Sequence, residues 1–120
     1  MIAYIAGPMT SCVDYNFPAF YAAEAKLRAM GFDVVNPARN DVEIDGFNPK
    51  TDTARPHWYY MRRALPLVCS CDVVVLLPGW GLSSGTLKEV RVAYECNIET
   101  AEIDGDGWLK KLLARGKREG

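Results

Sequence analysis

Five apolar residues in a row, Val73-Val74-Val75-Leu76-Leu77, run straight into Pro78-Gly79-Trp80-Gly81-Leu82-Ser83-Ser84-Gly85, and a helical stretch carrying Glu89 follows. An apolar run this short, with no polar face, fits a strand buried on both sides of a parallel sheet. The turn of small residues behind it leaves backbone N–H groups pointing outward at a helix start, where an anion can bind. Glu89 stands one helical turn inside. A carboxylate beside an anion-binding turn suits a ligand with both a phosphate and an electrophilic carbon, as a nucleotide has.

The rest of the chain alternates in the same way. Residues 2–6 are a short, wholly apolar strand ended by Gly7-Pro8. Phe20, Ala23, Leu27 and Met30 recur three or four apart and predict a helix over 17–30, with Gly31 as its cap. Residues 32–35 form a second strand, closed by Asn36-Pro37. Residues 38–55 have no clear period and read as a functional or mobile loop. Pro56 leads a helix over 57–70, with a kink or break expected near Ala64 because of Pro66. Residues 73–77 are the third strand, 84–96 a helix, 98–103 a weaker fourth strand and 108–115 a final helix.

This pattern predicts one α/β domain over residues 1–120. It is a three-layer, doubly wound parallel sheet of four to five strands, Rossmann-like or flavodoxin-like. Ligands of such sheets bind outside the carboxyl ends of the strands. Residues 7–16, 36–55 and 78–85 therefore build the site. Asp72 lies at the other end of its strand, about 17 Å away at roughly 3.3 Å per residue, and reads as a structural acid.

Fourteen Lys and Arg against fifteen Asp and Glu give a net charge of −1, so no basic field favours a nucleic acid polymer. The basic stretch of Lys110, Lys111, Arg115, Lys117 and Arg118 reads as a solvated helix face and frayed end. No apolar stretch reaches the roughly 18 residues of a membrane span. Met1 leads into a strand without the charged and apolar regions of a signal sequence. The expectation is a cytoplasmic protein with no membrane partner. Cys12, Cys69, Cys71 and Cys96 lack C-x-x-C or zinc spacing and read as buried, reduced thiols. No metal or other cofactor is expected.

Tyr4-Ile5-Ala6-Gly7-Pro8-Met9-Thr10 resembles the opening of the nucleoside 2-deoxyribosyltransferase-like proteins, and the small phage-associated branch of that superfamily in particular. Further matches are Tyr15 to Phe20, Asn36-Pro37-Ala38, Trp58 with Tyr60-Met61-Arg62, Cys71-Asp72, Leu77 to Trp80, and Ser83-x-Gly85-x-x-x-Glu89. The resemblance spans residues 2–93. It implies cleavage or transfer of an N-glycosidic bond in a nucleoside or a (deoxy)nucleoside 5′-monophosphate. A glutamate attacks the anomeric carbon, and water or a second base resolves the glycosyl-enzyme. Glu89 matches the nucleophile and Tyr4 the tyrosine whose hydroxyl orients it. Ser83 matches the serine that holds a 5′-phosphate. Gly7 and Gly85 would let backbone amides approach the ligand. Pro8, Met9 and Asn16 from the first loop, and Trp80 as a stacking ring, complete the expected substrate contacts. Homodimers or higher oligomers, in which a neighbour helps close the site, are implied too.

One position departs from the pattern. Family members usually carry an aspartate eight residues before the Asp72 position, which orients the sugar or protonates the leaving base. Here that position is Ala64, flanked by Arg62-Arg63 and followed by Pro66. Losing such an acid typically costs about 10²- to 10⁴-fold in rate. Three accounts fit: another acid substitutes, with Asp14, Asp45 and Asp52 as candidates; the chain is a substituted variant; or the protein binds nucleotides and hardly cleaves them. The last account is the alternative reading, a nucleotide sensor or adaptor. A relative that cleaves nicotinamide nucleotides is a third reading. Simpler roles compete at several positions. Ser83 or Ser84 can cap the helix, Tyr4 can fill the core, Trp58 and Tyr59 can pack or pair subunits, and His57, Arg62 and Arg63 can be solvated.

Overall fold

The protein is described as a computed structural model that covers residues 1–104 and strand 109–111. Its elements in order are β1 (Ile2–Ala6), α1 (Phe17–Ala29), β2 (Asp33–Val35), α2 (Pro37–Asp45), α3 (His57–Cys69), β3 (Val73–Leu76), α4 (Ser84–Glu95), β4 (Glu99–Ile103) and β5 (Leu109–Lys111). Short 3-10 turns occupy Val13–Asn16 and Trp80–Leu82. The sheet order is β2-β1-β3-β4-β5. The first four strands are parallel, and β5 runs antiparallel along the outer edge of β4.

Side-chain alternation along the strands sorts the molecule into three layers. Ala3 and Ile5 of β1, with Val73 and Val75 of β3, pack under Phe17, Phe20, Ala23 and Leu27 of α1 and Ala38 of α2. Tyr4 and Ala6, with Val74 and Leu76, face Ala64 and Val68 of α3 and Ala93 of α4 on the other side. The Rossmann-like expectation is thus met. Because β2 and β3 flank β1, the chain leaves β1 toward both sides, and the crevice at the carboxyl ends of β1 and β3 is the switch point where ligands lodge. At the opposite edge Asp72 Oδ2 accepts from the Ile2 N–H at 2.7 Å, so this acid ties two strand starts together.

Four expectations need correction. Residues 37–45 are a helix and not a loop. Asn36 caps it by accepting from Ala38 N at 3.0 Å, Pro37 opens it, and Gly46 ends it at φ 64°. Buried Glu24 holds this helix against α1, accepting from Arg39 Nε at 2.9 Å and from Asn36 Nδ2 at 3.0 Å. The helix α3 runs unbroken through Pro66. That residue is exposed, so the helix bond a proline cannot make is lost on the solvent-facing side of α3. Residues 109–111, expected in a helix, pair as β5, since the open edge of β4 offers backbone partners; the rest of that expected helix, and most of the basic stretch, lies outside the described residues. Of the four thiols only Cys71 is buried, and burial pushes it up; Cys69 and Cys96 are exposed.

Candidate active site

Tyr4 sits in the middle of β1 and turns toward α4. Its side chain is fully buried, so its hydroxyl needs a partner. The partner is Glu89, one turn into α4, whose Oε2 accepts from the Tyr4 hydroxyl. Glu89 is itself buried, at 7% exposure, although it is a carboxylate. Burial raises its pKa to about 7, against the lowering effect of the Tyr4 hydrogen bond. Burial, and then the neighbouring Glu89, hold the Tyr4 phenol well above its usual range, so it stays a neutral donor. The second Glu89 oxygen has no hydrogen-bond partner among the described residues and opens into a cavity of about 570 Å³. That volume lies within the range of small-molecule sites, about 300–1,000 Å³.

The turn before α4 forms one end of this cavity through Leu82, Ser83, Ser84, Gly85 and Thr86. The Ser83 hydroxyl caps the helix, accepting from Thr86 N at 3.2 Å. The N–H groups of Ser84 and Gly85 are the first two of the helix and have no intrahelical acceptor. The macrodipole adds a positive bias there. Gly85 leaves a narrow gap: a Cβ at that position would lie 3.3 Å from Met61 Cε and 3.4 Å from His57 Cε1, both on α3 and both lining the cavity, so these side-chain ends would have to shift slightly to admit it. Thr86 is 1% exposed, lines the cavity, and its hydroxyl has no partner. A buried, unpaired hydroxyl costs about 1–3 kcal/mol, and a ligand atom can remove that cost. Thr86→Val keeps the shape. It is expected to stabilise the free protein by about 1 kcal/mol and to weaken ligand binding, read by urea unfolding with and without ligand.

The loop after β1 supplies a second wall through Gly7, Pro8, Met9, Thr10 and Ser11. Gly7 serves the strands more than a ligand: a Cβ there would stand 2.7 Å from Leu77 Cβ. The loop is held in an unusual path, with Asp14, Tyr15 and Asn16 all at positive φ, between 50° and 62°. Asn16 does not line the cavity; its side-chain amide donates to the Pro8 carbonyl at 2.9 Å and braces the loop from behind. Trp80 does not line it either. Its indole N–H donates to Glu102 Oε1 at 2.8 Å, and its ring packs against the core between the sheet and helices α3 and α4. The remaining expected residues, Tyr4, Gly7, Pro8, Met9, Ser83, Gly85 and Glu89, come together around one cavity.

The third wall comes from α2 and α3 and holds groups that sequence reasoning missed. Asp41, 5% exposed, is the only acidic residue besides Glu89 among those lining the cavity. Arg63 from α3 donates to Asp41 Oδ1 and, at 3.0 Å, to Asp45 Oδ2. Tyr59 adds a hydroxyl on Asp45 Oδ1 at 2.9 Å. Burial raises the Asp41 pKa to about 6; Arg63 opposes this and Asp45 adds to it. Burial also raises Asp45, but the Tyr59 and Arg63 hydrogen bonds outweigh it and keep Asp45 below its usual range. Asp14, Asp45 and Asp52 do not line the cavity: Asp14 meets Lys50 at 3.4 Å, and Asp52 accepts from Asn48 N at 2.8 Å. Ala64 does line it, 8% exposed, and contributes no polar atom.

Every residue that lines the cavity falls within residues 1–101, the stretch matched by the family model described as a domain of unknown function, DUF4406. The chain belongs to the DUF4406 family. No curated protein matches it. In this DUF4406 domain the described residues place no group of three or more His, Cys, Asp or Glu suited to a metal, and no helix among them is long and apolar enough to cross a membrane.

Proposed function

We propose that this domain cleaves or transfers the N-glycosidic bond of a nucleoside or a (deoxy)nucleoside 5′-monophosphate, with Glu89 as the nucleophile. The reading agrees with the resemblance to nucleoside 2-deoxyribosyltransferase-like proteins. The observation that carries it is the buried Tyr4–Glu89 pair, which opens one carboxylate oxygen into a nucleotide-sized cavity beside the free N–H groups of α4. The phosphate would rest on the Ser84 and Gly85 N–H groups, with Ser83 fixing the turn. The sugar would then lie over Glu89, which attacks the anomeric carbon as the base departs. Tyr4 holds the carboxylate in one rotamer and stabilises its charge. Only ionised Glu89 attacks, so its raised pKa ties the reaction to pH values near 7.

Incubation with deoxynucleoside 5′-monophosphates is expected to release free base, and Glu89→Ala is expected to stop the release. Release that persists in that variant sinks the assignment. The alternative reading, a sensor or adaptor that binds nucleotides without cleaving them, draws on Ala64, where an acid is missing. It predicts thermal stabilisation by nucleotides with no base released on long incubation. Self-association belongs to the same proposal and is supported by the 93% exposure of Leu82 at the cavity rim, an apolar side chain that a second copy would cover.

A further inference from the structure

We propose that Asp41 is the general acid of this site: its Oδ2 gives a proton to the departing base and later takes one from the attacking water. This rests on the proposed glycosidic reaction and on Glu89 as nucleophile. Three observations carry it. First, Asp41 and Glu89 are the only acidic residues among those lining the cavity, and they come from different elements. α2 follows β2 and α4 follows β3, so the two carboxyls flank the end of β1 from both sides. A glycosidic site needs two carboxyls around one bond, and no other pair of acids among the described residues shares this cavity. Second, Arg63 engages only Oδ1 of Asp41. Oδ2 has no partner among the described residues and is not sealed off, so it is free to hold or deliver a proton in the cavity. Third, α3 offers no acid here: position 64 is an alanine on the cavity wall. Asp45, the other acid on the Arg63 guanidinium, has both oxygens engaged and lies outside the cavity.

The step balances. A Glu89 oxygen forms a bond to the anomeric carbon. The carbon–nitrogen bond breaks with its electron pair going to the base, and the Asp41 proton follows onto that base. In the second half a water oxygen attacks the same carbon, its proton returns to Asp41, and Glu89 leaves as a carboxylate. Each carboxyl ends as it began.

The groups facing Asp41 are Arg63 and Tyr60 from α3, Asp45 from its own helix, and Tyr4 from β1 with Glu89 behind it. Burial and Asp45 favour the protonated acid, and Arg63 opposes it. With Asp41 titrating at about 6 and Glu89 at about 7, the productive pair, protonated Asp41 with ionised Glu89, is a minor species that peaks between those values. Base release is therefore expected to follow a bell centred between pH 6 and 7.

The test compares two leaving groups in wild type, Asp41→Asn and Asp45→Asn. One substrate is a natural deoxynucleoside 5′-monophosphate. The other is the matching 4-nitrophenyl 2-deoxyriboside 5-phosphate, whose phenolate leaves without a proton. Asp41→Asn is expected to slow base release by about 10²-fold or more and nitrophenolate release by only a few-fold. Any loss in Asp45→Asn is expected to fall equally on both substrates. The wild type adds an arm that needs no variant: the alkaline fall should appear with the nucleotide and be absent with the nitrophenyl substrate. Equal losses on both substrates in Asp41→Asn, or the same alkaline fall with both in the wild type, overturn Asp41 as the acid while Glu89 stands. Failure of the wild type to cleave either substrate overturns the glycosidic reading itself, and this inference with it.

Discussion

Glu89→Gln is expected to cut base release by about 10³-fold or more and, in the same molecule, to make the fold more stable at alkaline pH. The two effects share one cause. In the folded protein burial lifts Glu89 from its ordinary 4.5 to about 7. Below pH 4.5 the carboxyl is protonated both folded and unfolded, and nothing is lost. As pH rises from 4.5 toward 7 the unfolded chain releases this proton and the folded chain keeps it, so stability falls across that window. Above 7 the full penalty applies, on the order of 3 kcal/mol. Glutamine keeps the shape, still accepts from the Tyr4 hydroxyl, and carries no charge. Its amide faces the cavity, and imperfect hydration there returns part of the gain. We expect the variant to gain about 2 kcal/mol over wild type at pH 8 and almost nothing at pH 4.5, measured by urea unfolding at both. Asp41 has the same sign but is present in both proteins, so the comparison isolates Glu89. A stability difference that does not change with pH would mean that Glu89 titrates as an ordinary exposed carboxylate.

The parts of this site that were legible in the sequence are those written locally. The apolar runs at β1 and β3, and the serine-glycine turn into α4, locate two of the cavity's three walls, the loop after β1 and the start of α4. They need no distant partner to be recognised, because strand burial and helix capping are short-range patterns. The pairing of Tyr4 with Glu89 spans 85 residues, and only the resemblance placed those two together. The helix α2 shows the opposite case. Its end signals were present, Asn36 and Pro37 at one end and Gly46 at the other. Its inward face, however, is Ala38, Asp41 and Asp45, which carries no apolar stripe. Such a face can be buried only because Arg63 arrives from α3 to meet both acids. Helical periodicity read from hydrophobicity misses a helix whose buried face is ionic. The second carboxyl of the cavity went unseen for the same reason.

Trp80 and β5 mark a different limit. An aromatic ring in a site turn carries no sign of the side it will face. Gly79, at φ 82°, turns the chain so that the indole reaches Glu102 on β4 and leaves the cavity to smaller residues. Residues 109–111 look helical on local propensity, but the open edge of β4 offers a ladder of backbone hydrogen bonds. Tertiary pairing overrides weak propensity in short segments.

Arg63→Met is expected to destabilise the protein by about 3–5 kcal/mol at pH 8, because it strands two carboxylates in a poorly hydrated place. The Asp41 and Asp45 side chains are only 7% and 9% exposed, and Arg63 itself 22%. The two acids are four apart on one helix, so without the guanidinium they also repel each other. The guanidinium carbon of Arg63 lies 5.4 Å from the Tyr59 ring centroid and 6.0 Å from that of Tyr60, and methionine, flexible and of similar reach, can pack against the same rings, so lost packing is a small part of the effect. The sign with pH follows from the charges. In wild type Asp45 is held below its ordinary value, so it adds stability above about pH 4 that is lost on acidification. In the variant that contribution disappears and both acids take up protons to fold, so the penalty is largest at high pH and shrinks toward pH 5. Adding Asp41→Asn and Asp45→Asn to the variant should recover much of the loss at pH 8, since neutral amides do not need the arginine. Urea unfolding at pH 5 and pH 8 of the single and triple variants measures each term. A cost under about 1 kcal/mol for Arg63→Met, equal at both pH values, would reduce the cluster to a surface ion pair and leave α2 without the contact that holds Asp41 at the cavity wall.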